Sequence, residues 1–236
     1  MSIFTSLGIL ILGVFACAFL QLLPGVFAIF YHYASAKNSR DKTLDLSSYF
    51  IIGAEMMTAV ILFLLYFVIS NFLNDNPNLD LKIFQWIVSG ILLMLGFFVL
   101  IFYYRKGEGT KLFISRKMAN NLTLSAKNAK KPSDIFTLGM TTGLLELFFT
   151  LPIYVVIITE IIKFPGDIIL QPVLALLFVI ISILPAMVMR SQFYRGRKNL
   201  ADIERARVKN KNFCRIMIGV SYILLAIFII SFRIFK

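Results

Sequence analysis

The sequence predicts an all-α polytopic membrane protein. Six transmembrane helices are expected, arranged as two three-helix repeats of opposite orientation (3+3), with both termini outside. Three observations predict this. Hydrophobic residues make up 59% of the 236 and charged residues only 15%, with a mean hydropathy of +0.84, against about 45–50% and about 25% in soluble domains. Six stretches approach or exceed the roughly 20 apolar residues that a helix needs to cross the hydrocarbon core. Finally, the 24 Lys and Arg are distributed unevenly among the connections. Composition of this kind excludes disorder, a disulfide scaffold and an ordinary soluble enzyme.

The first apolar stretch covers residues 3–30 and meets no basic residue before Lys37. It has no basic leader and exceeds the apolar core of a signal peptide, so it reads as a mature helix. The second covers 48–73 and carries one acid, Glu55. The third, 83–104, is uncharged. The fourth, 135–162, carries Glu146 and Glu160. The fifth, 168–189, is uncharged, and the sixth, 216–232, is short but bounded by Arg215 and Arg233. Helices are the expected spanning elements because lipid offers backbone groups no partners. Barrel strands would alternate in polarity, and these segments do not.

The 1–2, 3–4 and 5–6 connections hold three, eight and nine Lys and Arg, whereas the 2–3 and 4–5 connections and the tail hold one, one and two. The positive-inside rule places the rich side in the cytoplasm and both termini outside, in the cell inner (plasma) membrane. Topology therefore accounts for the net charge of +12, and no loop is long enough for a nucleic-acid-binding domain. The sequon Asn121-Leu122-Thr123 falls on the cytoplasmic side and is expected to stay unmodified.

Residues 105–134 form a basic cytoplasmic connector between the repeats at 1–104 and 135–236. Within it Phe113 or Ile114, Met118, Leu122 and Ala126 recur at a step near four. That spacing predicts an amphipathic helix on the inner leaflet, its basic face toward anionic headgroups. A short charged helix over 199–209 is expected as a solvated connection.

The lead helices of the two halves share chemistry. Each has an early glycine (Gly13, Gly139), a polar carboxamide or carboxylate (Gln21, Glu146) and then a proline (Pro24, followed by Gly25, and Pro152). Proline removes an amide donor and clashes with the carbonyl four residues back. Breaks on corresponding helices mark the binding region of inverted-repeat carriers, so Pro24, Gly25 and Pro152 are assigned as helix-break or gating positions. Through Leu22-Leu23-Pro24-Gly25 and Leu151-Pro152 the chain resembles the LysE/DsbD (CcdA) superfamily of small six-helix membrane transporters. The resemblance implies a central cavity lined by helices 1 and 4, and export or exchange of a small solute or of reducing equivalents. Cys17 stands where CcdA-like proteins place a reactive thiol, but Thr141 and Thr142 occupy the matching stretch of helix 4, where those proteins carry the partner thiol.

Ionisable groups inside lipid cost about 2.5–3.5 kcal/mol on insertion scales, so they are functional or paired. Glu146 lies about 16 Å along helix 4, close to the midplane, and is suited to bind a cation or exchange a proton. Glu55, about 10 Å along helix 2, is either a second relay site or a group facing inner water. Gln21 either lines the cavity or joins helices through its amide. Glu160, near the outer end of helix 4, is expected to be solvated. His32, between Tyr31 and Tyr33, reads as a belt residue. No metal-ligand spacing, phosphate loop or nucleophile elbow appears, so no cofactor or metal is expected. The expected function is a secondary transporter of a small solute, ion- or proton-coupled through Glu146 with Gln21 and Glu55 lining the path. Its partners would be that solute or ion and anionic lipid, with an oligomer allowed. The alternative is a non-transporting scaffold or assembly subunit that binds a cytoplasmic partner through its basic loops. An enzyme is not expected, because no paired catalytic set is present.

Overall fold

A computed structural model of the chain describes residues 3–18, 22–75, 81–102, 116–164, 170–182, 184–195 and 200–234. Every regular element among them is helical: α1 (Ile3–Ala18), α2 (Leu22–Ser35), α3 (Arg40–Asp75), α4 (Leu81–Phe102), α5 (Arg116–Asn128), α6 (Pro132–Ile162), α7 (Leu170–Ser182), α8 (Leu184–Tyr194) and α9 (Leu200–Ile229), which runs into a π-helical turn at Ile230–Ile234. By length and composition, four helical stretches suffice to cross a membrane: Ser6–Ser35, Arg40–Asp75, Ile83–Ile101 and Arg215–Phe232. Two bent pairs raise the number to six if each is one span. These are Pro132–Leu147 with Phe149–Ile162, bent by 81°, and Leu170–Ser182 with Ala186–Gln192, bent by 43°. The chain is thus an all-helical protein with four to six candidate membrane spans.

Its surface agrees with lipid as the solvent. Met56, Val60, Phe63 and Phe67 on α3, and Ile87, Met94 and Phe98 on α4, stand exposed. In water each would forgo about 1.5–3 kcal/mol of burial. In hydrocarbon the same side chains are fully solvated.

Helix starts are set by local chemistry. Ser39 precedes α3, and its Oγ accepts the Lys42 amide at 3.4 Å, the N-cap bond that satisfies one free donor of the first turn. Pro132 opens α6, and Asp134 accepts the Lys131 amide at 3.2 Å. Because of such ends, α3 begins eight residues before the apolar stretch expected from residue 48. Likewise α9 is continuous from Leu200, so the charged segment expected as a separate helix over 199–209 is the first part of the last span's helix.

Small residues bring the helices together. A Cβ on Gly53 of α3 would lie 2.2 Å from the Phe136 carbonyl oxygen, and one on Gly139 of α6 would lie 2.1 Å from that of Phe50. Glycine is required at both, since nothing larger permits this approach. Farther along, Tyr66 of α3 donates to Gln171 Oε1 at 2.8 Å, and the Gln171 amide donates to the Ile162 carbonyl at 3.3 Å. One side chain thereby ties α7 to α3 and satisfies a carbonyl at the end of α6.

Two apolar clusters result. One joins α2, the first half of α3, α5, the first leg of α6 and Ala186. It lies toward the α2–α3 connection and the start of α6, where Lys37, Lys127 and Lys131 stand. The other joins α1, the second half of α3, α4, the second leg of α6, Phe178 of α7 and α9. The α5 helix departs from expectation. Its apolar face, with Leu122 and Ala126 buried and Ala119 beside them, packs into the first cluster against α2. Lys37 Nζ also donates to the Lys127 carbonyl at 3.2 Å. Hydrophobic periodicity shows that a face must be covered but does not say by what, and here protein covers it.

Candidate functional site

A polar layer centres on Glu146, its groups supplied by α6, α3 and α9 and by the backbone of α2. Residues 19–21, which separate α2 from α1, lie outside the described residues, and the whole stretch Ser6–Ser35 is long and apolar enough to be one span. The Leu23 amide donates to the carboxylate of Glu146. Pro24 and Gly25 are both buried.

Glu146 sits on α6 just before its 81° bend, which falls between Leu147 and Phe149. Pro152 explains the position, because residue 148 is four before it and its carbonyl has no Pro152 amide to receive. Neighbouring groups take up the opened ladder. Tyr222 Oη of α9 donates to the Phe149 carbonyl at 2.9 Å, and Thr150 Oγ1 donates to the Glu146 carbonyl at 3.3 Å. Back-bonding of this second kind itself bends helices. The Tyr154 hydroxyl is hydrogen-bonded to the hydroxyls of Thr150 on its own helix and Thr58 on α3, and its ring meets Phe178 edge-on at 5.7 Å. Cys17, Tyr154 and Tyr222 all lie within electrostatic reach of Glu146. Cys17 is buried and carries no disulfide.

The residues named from sequence do not all meet. Glu146 faces the amide of Leu23, immediately before Pro24 and Gly25, and Pro152 follows one and a half turns later on the same bent helix. Gln21 lies outside the described residues. Glu55 is half-buried and opens onto a separate groove of about 700 Å³ between α3 and α8, which Glu146 does not line. Glu160 corrects an expectation. It is only 2% exposed, enclosed with Gln85, Val88, Thr159 and Ile229, because α4 and α9 close over the end of α6. His32 is exposed, with its ring 5.3 Å from that of Tyr33.

Thr58, Thr150, Tyr154 and Tyr222 were not singled out from sequence. A signal was present, since Glu146, Thr150 and Tyr154 recur at i, i+4 and i+8, one helix face. Chemically the layer offers one carboxylate, hydroxyl groups able to donate and accept, and the Leu23 amide. That set can hold a proton or a small cation. Among the described residues no three His, Cys, Asp or Glu side chains converge on a metal-sized site. Comparison with known protein families, with curated proteins and with solved structures finds no match to this chain.

Proposed function

We propose that the protein is a six-span secondary transporter of a small solute, built from two opposed three-helix halves, residues 1–104 and 135–236, and coupled to an ion or proton through Glu146. Both termini then lie outside the cell inner (plasma) membrane and the basic connections inside, on the plan of the LysE/DsbD-like carriers that the sequence resembles. The observation that carries the reading is the Glu146 carboxylate at the Leu23 amide. A carboxylate on the bent lead helix of one half meets the backbone beside Pro24 in the lead segment of the other. Discontinuous helices whose N-termini and freed carbonyls face a polar group are the ion and substrate sites of inverted-repeat carriers.

A second observation supports the opposed halves. A Cβ on Gly96 of α4 would lie 3.0 Å from the Gly219 carbonyl oxygen, and one on Gly219 of α9 would lie 3.1 Å from that of Gly96. The third helices of the two halves thus meet in a reciprocal contact, as a two-fold axis between them requires. Gating is assigned to Pro24, Gly25 and Pro152, and the path to Gln21; Glu55, on its separate groove, stands apart from that path.

The test is flux in proteoliposomes that report internal pH, challenged with a panel of amines, amino acids and inorganic cations. Glu146→Gln keeps an acceptor for the Leu23 amide but removes the exchangeable charge. Flux is expected with the native chain and is expected to vanish in the variant, which should keep its native elution profile. Equal flux in the two proteins, or no response to any solute, refutes the reading.

A further inference from the structure

The groove between α3 and α8 is separate from the Glu146 layer. Its volume of about 700 Å³ falls within the roughly 300–1,000 Å³ of small-molecule sites. Asp41, Asp45, Ser48, Ile52 and Glu55 line it from α3, spaced three or four apart and so on one helix face. From Asp41 to Glu55 the wall runs about 21 Å along the helix axis. Met187 and Tyr194 stand opposite on α8, together with Arg190.

The charges in this groove invert their surroundings. Lys37, Lys127 and Lys131 stand toward this end, yet three of the chain's twelve acids line this one groove. Arg190, the one basic residue among the described lining residues, is turned onto α3: its Nε donates to Ser47 Oγ at 3.0 Å and its Nη2 to the Leu44 carbonyl at 3.5 Å. Its guanidinium therefore braces α8 against α3. Arg40 lies over the Tyr194 ring, 5.5 Å from its centre, at the mouth. Three carboxylates against Arg190 leave the described lining net negative, and charges in the basic connections beyond about 8 Å are screened at physiological ionic strength.

Two features narrow the ligand. The three carboxylates are strung along the helix and do not converge, and no metal-sized cluster forms among the described residues, so a bare metal ion finds no cage. Between them the wall is apolar, formed by Leu44, Ile51, Ile52 and Met187, and would leave an inorganic cation unsolvated. An apolar body carrying a positive charge satisfies both.

We propose that this groove binds an organic cation with an apolar body. Its charge is held in the joint field of Asp45 and Glu55, which stand about 15 Å apart along α3, and its body lies on Ile51, Ile52 and Met187. Binding here does not require transport; only the side from which the ligand comes rests on the carrier reading.

The test is equilibrium binding of radiolabelled tetraphenylphosphonium to the full chain in phosphatidylcholine nanodiscs, beside tetraphenylborate, an anion of the same shape. Saturable phosphonium binding is expected, with borate at least tenfold weaker. Asp45→Asn with Glu55→Gln is expected to weaken the phosphonium at least tenfold. Ile52→Trp fills the groove from an exposed position, leaves every carboxylate in place and is expected to block binding on its own. Glu146→Gln is expected to bind as the native chain does, even where it abolishes flux. Equal affinity for the two ions, no saturable binding, or binding unchanged by Ile52→Trp overturns the proposal. Loss of phosphonium in Glu146→Gln also overturns it, because it moves the site to the polar layer.

Discussion

Replacing Gly139 by alanine tests the tightest glycine approach among the described residues. A Cβ there would stand 2.1 Å from the Phe50 carbonyl oxygen and 3.0 Å from the Ala54 amide nitrogen. Both are backbone atoms of α3, so no side chain can rotate aside, and the two helices must separate by about 1 Å to restore a van der Waals contact. A gap of that size forfeits a quarter to a half of each dispersion contact along the seam. Overpacking of this kind costs about 3 kcal/mol at the upper end of its range, offset by up to about 1 kcal/mol from the better helix propensity of alanine. The expected net loss is about 2 kcal/mol. Gly90 on α4 is the control, because a Cβ there meets nothing within 4 Å; Gly90→Ala should be neutral or stabilising by up to about 1 kcal/mol. Reversible unfolding in bicelles by added dodecyl sulfate measures both. Gly53→Ala should resemble Gly139→Ala, and the double variant should fall short of their sum by at least about 1 kcal/mol, because the first substitution already opens the seam for the second. A Gly139→Ala protein as stable as Gly90→Ala would refute the reasoning.

Two further outcomes follow from the polar layer. Spin labels at Thr137 and Lys163 should lie about 30 Å apart across the 81° bend of α6, and Pro152→Ala should shift the distribution toward the roughly 39 Å of a straight helix, as read by pulsed dipolar spectroscopy. Tyr154→Phe removes the hydroxyl shared with Thr58 and Thr150; it should cost about 1–2 kcal/mol in the same unfolding assay and slow any flux that depends on Glu146.

Apolar length was legible in the sequence, and with it the helical class and the approximate places of the spans. Helix ends were less so. Hydropathy reports what lipid tolerates, whereas Arg40 to Ser47 are helical because of a cap at Ser39 and packing at Thr43 and Leu44. Glu160 was misjudged because its distance from the end of the apolar stretch says nothing about α4 and α9 closing over it. The α5 face was readable as amphipathic, but its cover was not. Glu146 stood out as a carboxylate in an apolar segment. Thr58, Tyr154 and Tyr222 did not, because single hydroxyls are cheap to place in a helix and acquire meaning only when tertiary packing brings them to one carboxylate.

The bend in α6 has a mechanical consequence. Its first leg is locked to α3 where the glycines leave no clearance, so it cannot slide independently. The second leg, from Phe149 to Ile162, is a lever about 20 Å long, hinged where the hydrogen-bond ladder is already open. A swing of about 5° at that pivot displaces its far tip by about 2 Å, comparable to the radius of an ion, while the locked leg stays still.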